Sequence, residues 1–301
     1  MKKYIRMTSI VLVICLSIVT VGVADSKRDA YLEAISGVMD TLIENDRSAS
    51  NINHQILNGR YRTVQMLEII AYALDTKELY SEHISDVMDT LIKNDKNASN
   101  INHQILNGAY RTVQMLEIIA FELDTKGVYS EYISDVMDTL LKNDKSASNI
   151  NHQILNGTYR TVQMLEIIAF ELDTKNLYSD YISDVMDTFI KNDKSASNIN
   201  HQILNGVYRT VQMLEIIAYE LNDSGIYSDF ISDVMDNLVK NDKSASNINH
   251  QILNGVYRTV QMLEIIAYES IPDDMNDNPV KPDNDKHDVD MEENVEIDSD
   301  L

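Results

Sequence analysis

The sequence predicts an all-α protein built from tandem 49-residue helical repeats, and three observations carry that prediction. The segment Asn-His-Gln-Ile-Leu-Asn-Gly begins at Asn53, Asn102, Asn151, Asn200 and Asn249, each start 49 residues after the last. A fixed period of this size marks a repeat architecture. All three prolines (Pro272, Pro279, Pro282) lie in the last 30 residues, which leaves a long stretch free of the strongest helix breaker. Within each unit, apolar residues fall at helical rather than strand spacing.

Residues 1–24 read as a signal peptide. Lys2, Lys3 and Arg6 give a basic start, an apolar run extends from Ile10 to Val23, and Gly22-Val23-Ala24 offers the small residues a signal peptidase requires. The run is short for a membrane span, so cleavage before Asp25 is expected rather than an anchor. Cys15, the single cysteine, lies inside this segment, and bulky Ile14 ahead of it argues against a lipoprotein site. The mature chain then has no disulfide and relies on helix packing.

A leader of residues 25–30 precedes five units, at 31–79, 80–128, 129–177, 178–226 and 227–270. The fourth unit shows the pattern. Ser179 is placed to cap a helix, with Asp180 in its first turn. Ile182, Val185, Met186, Phe189 and Ile190 form an apolar stripe, Lys191 to Ser195 form a polar run, and apolar spacing resumes from Ala196 to Leu221. Two layouts fit: a helix of about four turns, a break and a second helix of about seven turns starting at Ser195, or one helix of about 40 residues. Five consecutive polar residues favour the break. Asn222-Asp223-Ser224-Gly225 closes the unit as a turn. Short connections favour antiparallel neighbours, and one unit cannot bury its apolar face alone, so the units are expected to stack as an elongated antiparallel bundle or solenoid. The period equals seven heptads, but the heptad positions are not strictly apolar, which argues against a two-stranded coiled coil. The end units differ slightly, with Gly37 and Ala73 in the first and Ser270 in the last. Residues 271–301 hold 12 acidic residues against two lysines, a net of −10, with all three prolines, and read as a disordered acidic tail.

The formal charge of −23 excludes a phosphate-binding surface of clustered Lys and Arg, hence nucleic acid, and opposes docking on an anionic membrane. It suits cationic partners, weak divalent cation binding or a mineral surface.

Each unit repeats one polar set at i, i+4, i+7, i+11 and i+14, spacing that shares a helix face. The sets are His54, Asn58, Tyr61, Gln65 and Glu68; His103, Asn107, Tyr110, Gln114 and Glu117; His152, Asn156, Tyr159, Gln163 and Glu166; His201, Asn205, Tyr208, Gln212 and Glu215; and His250, Asn254, Tyr257, Gln261 and Glu264. Running opposite the apolar stripe, they form a candidate binding face in five copies. The alternatives are a solvated face copied by duplication or a polar seam between helices.

No metal site or cofactor is expected. His and Glu at the two ends of one set stand about 20 Å apart on a helix. The chain has no His-x-x-x-His, no Cys pair and no Glu-x-x-His. Asn192, Asp193 and Asn198 lack the glycine and distal glutamate of a calcium loop. Met186 and Met213 read as core filler. Gly206 recurs at Gly59, Gly108, Gly157 and Gly255 in mid-helix. Because the next position is Arg60, Ala109, Thr158, Val207 or Val256, no tight contact is expected there.

No nucleophile elbow or phosphate loop occurs, and Asp184 with Asp187 is ordinary surface charge. The expectation is therefore not an enzyme. It is an exported structural or multivalent scaffold, periplasmic, cell-surface or secreted, with a protein partner and with self-association compatible. No membrane span is expected in the mature chain. The alternative is an acidic repeat protein that binds cations or a mineral surface.

Overall fold

The computed structural model describes residues 24–75, 77–222 and 225–271, and they form ten α-helices. The segment up to Val23, read above as part of a signal peptide, and the tail from Pro272 onward lie outside the described residues. In order, the helices are α1 (Ala24–Arg47), α2 (Ile52–Leu74), α3 (Ser81–Asn97), α4 (Ile101–Leu123), α5 (Ser130–Ser146), α6 (Ile150–Leu172), α7 (Ser179–Ser195), α8 (Ile199–Leu221), α9 (Ser228–Ser244) and α10 (Ile248–Glu269). Each unit is thus two helices, and α1 runs through the leader.

The break between the paired helices falls later than the polar run suggests. Ser195 does not open the long helix. It is the last residue of α7, and its hydroxyl donates to the Asn192 carbonyl at 3.0 Å. The cap is Asn198, whose Oδ1 accepts from the backbone N–H of Asn200 at 3.0 Å and of His201 at 3.2 Å. Asn51, Asn100, Asn149 and Asn247 do the same in the other units. An amide oxygen here satisfies two of the four orphan donors at a helix start. The polar run continues the short helix because Lys191, Asn192 and Lys194 face solvent and cost the helix little.

The second correction concerns Ser179. The residue before α7 is Tyr178, which makes no side-chain cap. Asp173, six residues upstream, accepts from the backbone N–H of Leu177 at 2.6 Å and from the Ser179 hydroxyl at 2.6 Å. Asp75 and Asp124 hold the equivalent turns, and Asn222 takes the place in the fourth unit. In that turn the chain passes through a left-handed residue, filled in successive units by Glu78, Gly127, Asn176 and Gly225. Glycine meets that conformation without strain.

The five long helices do not stack as an elongated row. α2 packs on α4, α4 on α6, α6 on α8, α8 on α10, and α10 on α2 again, so the row closes into a ring. Neighbours are parallel, because the same positions meet at each junction. The glycine of one long helix faces the residue after the glycine on the preceding one: Gly157 meets Ala109 and Tyr110, Gly206 meets Thr158, Gly255 meets Val207, and Gly59 meets Val256. The short helices α3, α5, α7 and α9 each lie antiparallel against their own long helix and touch the preceding one, and α1 does the same between α2 and α10.

On α6 the glycine and Thr158 mark the flanks, and Asn156 and Tyr159 face the short helices. The arc left over carries Ile154, Thr161, Leu165 and Ile168, all buried. In a parallel ring the equivalent residues stand at one height, so the interior is built of layers of isoleucine, threonine, leucine and isoleucine. Each threonine hydroxyl in the second layer donates back to the glycine carbonyl four residues earlier, as Thr161 does to Gly157 at 3.0 Å, so it needs no partner inside. The buried faces of the short helices, such as Ile182, Val185 and Phe189, complete the core. Met213 is fully buried, and Met186 packs against the core from a partly buried position.

The expectation that the glycine makes no tight contact is therefore overturned. The variable residue beside it is the wall that it faces. A Cβ on Gly255 would stand 2.5 Å from Val207 Cγ1, and one on Gly206 would stand 2.6 Å from Thr158 Cγ2. Gly255→Ala should destabilise the protein by about 1–2 kcal/mol, since overpacking of roughly 1–3 kcal/mol outweighs the gain of about 1 kcal/mol in helix propensity. Adding Val207→Ala should recover part of that loss in urea unfolding, a coupling that independent sites would not show.

Candidate functional site

The repeated polar set divides into parts with different surroundings. The histidines stand at the starts of the long helices. His54, His103, His152 and His201 are exposed and His250 is half-buried. Each Nδ1 lies about one hydrogen bond from the serine four residues earlier, 3.0 Å for Ser50 and His54. The histidine thus belongs to the cap of its own helix. Among the described residues, no group of three or more His, Cys, Asp or Glu is placed to hold a metal ion.

The asparagines are buried. The Nδ2 of Asn58, Asn107, Asn156, Asn205 and Asn254 donates to the carbonyl of Leu42, Leu91, Leu140, Phe189 and Leu238, at 2.8 to 3.0 Å. Each carbonyl lies near the end of the short helix of the same unit. The bond clamps the two helices of a unit together by adding a second donor to a carbonyl that already accepts within its own helix.

The tyrosines reach the other way. Tyr61 donates to Asp95 and Tyr208 to Asp242, each on the short helix of the following unit. Tyr257 in the last unit donates to Asp46 in the first, a bond across the ring closure. The phenols of these three are raised, by burial and by the adjacent carboxylate, so they stay protonated donors. Tyr159 is the exception. Phe189 stands where the other units have leucine, and it packs edge-on against the Tyr159 ring with centroids 4.8 Å apart. The Tyr159 hydroxyl and Asp193 Oδ1 are buried without hydrogen-bond partners.

Gln114, Gln163 and Gln212 and Glu117, Glu166 and Glu215 lie half-buried on the outward side of their helices, while Glu68 and Glu264 are buried. The set is therefore not one open stripe. Its asparagines and tyrosines form the seam between long and short helices, its histidines and middle glutamates remain at least partly exposed, and its glutamines bury their Oε1 atoms, with Gln261 buried as a whole residue. Beside them, a residue type outside the set follows the same pattern: the Nε of Arg111, Arg160 and Arg209 is buried without a hydrogen-bond partner.

Two further surface features lie outside the repeated polar set, and the second takes in Asp184 and Asp187, read above as ordinary surface charge. Leu79, Val128 and Leu177, in the turns that follow the long helices, are exposed, Leu79 to 64 %. Tyr132 and Tyr181, at the start of the next short helices, are exposed as well, the latter to 64 %. The second feature is a row of three exposed carboxylates on each short helix, Glu131, Asp135 and Asp138 on α5 for example, with counterparts on α3, α7 and α9. Their spacing of four and three residues would have revealed the shared face.

Comparison with protein-family models, with curated proteins and with solved structures gave no match. No helix of the described residues is long and apolar enough to cross a membrane.

The tyrosines give a test of closure. Tyr257→Phe should cost about 1.5–3 kcal/mol, the range for a hydrogen bond to a charged group, whereas Tyr159→Phe should stay within about 0.5 kcal/mol. Urea denaturation of both variants checks the contrast.

The glutamates give a second. Burial raises the carboxyls of Glu117, Glu166 and Glu215 and pushes Glu68 and Glu264 up to about 8. The folded state then holds protons that the unfolded chain has released. Their stabilising contribution is complete below the ordinary carboxyl value of 4.5 and is lost as pH rises through about 8. Tm should therefore fall from pH 5 to pH 8.5, and Glu68→Gln combined with Glu264→Gln should flatten the slope in calorimetry.

Proposed function

We propose that this protein is an exported helical-repeat scaffold that engages a protein partner at several equivalent places at once. The observation that supports this most directly is the recurrence of the same exposed apolar positions, Leu79, Val128 and Leu177 with Tyr132 and Tyr181, on successive units of one ring. Exposed aromatic and large aliphatic side chains are the usual anchors of protein interfaces. Repeating a weak anchor at fixed spacing raises overall affinity through effective concentration, without a new kind of contact. The signal-like N-terminal segment supports export, and the periplasm, cell surface or exterior is the proposed location.

The second reading is an acidic protein that binds cations or a mineral surface. The rows of exposed carboxylates on α3, α5, α7 and α9 favour it, because they repeat one acidic face around the ring. Such a face suits a lattice of cations better than one chelated ion, which needs several oxygens converging on it.

One experiment separates the two. The full chain and the variants Leu177→Ser, Leu177→Ser with Val128→Ser, and the triple variant with Leu79→Ser are used as bait on envelope and secreted fractions. A partner whose retention falls stepwise with each substitution supports the scaffold. Equal retention by the triple variant removes it. Saturable heat on calcium titration, lost when Asp135, Asp184 and Asp233 become Asn, would move the assignment to the second reading.

A further inference from the structure

The position after the glycine holds Ala109, Thr158, Val207 and Val256 in four units and Arg60 in the first. All five side chains are buried, and Arg60 is only 5 % exposed. Its Cβ lies against Gly108 on α4, at 3.2 Å from where a Cβ would stand. The guanidinium is thus held at the inner junction of the ring, at a level otherwise lined by one alanine, one threonine and two valines. Ala109, the smallest of them, is on the adjacent helix and leaves room for it.

No carboxylate neutralises this charge. Arg60 Nε is buried without a hydrogen-bond partner. Burial draws its pKa down to about 10, which still leaves it charged at neutral pH, with no carboxylate acting on it. A buried cation without a partner is costly, and cores hold one only when something compensates.

The surroundings select for an anion. Side chains on a helix slope toward its N-terminus, so Arg60 extends toward the end of the ring where all five long helices begin. Those five N-termini are parallel and carry the positive ends of their dipoles, and none has an acidic residue in its first turn. At the same end the short helices finish with Arg47, Lys96, Lys145, Lys194 and Lys243. Of the aspartates there, Asp46, Asp95 and Asp242 are held by Tyr257, Tyr61 and Tyr208, while Asp193 Oδ1 has no hydrogen-bond partner. In a chain of net charge −23, this end is where an anion meets least repulsion.

We infer that Arg60 is the cation of an internal site that takes one small monovalent anion of the halide class, entered from the N-terminal mouth of the five-helix ring. A single guanidinium balances a single charge, and the layer formed by Ile56 and its four counterparts between Arg60 and the mouth is apolar, which favours an anion that sheds its water readily. The site is independent of the outer surface proposed for partner binding.

The test compares sodium chloride and sodium bromide with sodium gluconate at equal ionic strength, on the full chain and on Arg60→Val, the residue that two other units carry at this position. In the unsubstituted protein, Tm should rise saturably with chloride or bromide above the gluconate value, as ligand binding to the folded state requires. Arg60→Val should lose that increment. Crystals of the unsubstituted protein soaked in bromide should show anomalous density inside the ring beside Arg60, a readout that holds even if the variant fails to fold. Equal Tm in chloride and gluconate, an increment kept in Arg60→Val, or bromide confined to the outer surface would each overturn the site.

Discussion

Five parallel helices can close on themselves only if each meets its neighbour at the same short distance and angle, and one glycine per unit sets that distance. Where Gly206 faces Thr158 and Gly255 faces Val207, the absence of a side chain on one helix admits a branched side chain from the next. The cost of glycine inside a helix is repaid by packing between helices. Once the long helices touch in this way, the short helices have one groove each, and the asparagine and tyrosine of the unit fasten them from both sides. The layered interior, the seam and the outward rows of side chains all follow from that junction.

Polar chemistry inside this frame is mostly committed to holding it. Asn156 serves a carbonyl of its own unit, Tyr208 serves an aspartate of the next, and Thr161 returns its hydroxyl to its own backbone. A protein that buries this many hydrogen-bonding groups gains a single arrangement from them, because an alternative register would leave them unpaired. Tyr159 and Asp193 show the other side of the rule. One leucine-to-phenylalanine difference at Phe189 accompanies the loss of a bond that its counterparts keep.

Helix content was legible in the sequence because it depends on local spacing, and so was the division of each unit in two. The caps were misread by a few residues, since Asn198 and Asp173 act through side-chain geometry that a polar run does not reveal. Closure was not legible at all. It depends on the crossing angle accumulated over five junctions, and the residue that decides it, glycine, looks the same in an open row. The candidate site was legible as a recurring set but not as a surface, because helical spacing shows which residues share a face and not what covers that face. Arg60 stood in plain view as a variable position, and only its burial against Gly108 gave it meaning.

Closure also bears on the gene. Near-identical tandem units invite unequal recombination, which adds or removes whole copies. An open solenoid absorbs such changes at its ends, but in this ring the fifth helix must meet the first, and Tyr257 must find Asp46. A four-copy or six-copy product would need a different angle at every junction, and each angle is fixed by the same glycine. A change in copy number therefore costs this fold a stability that an open solenoid would keep.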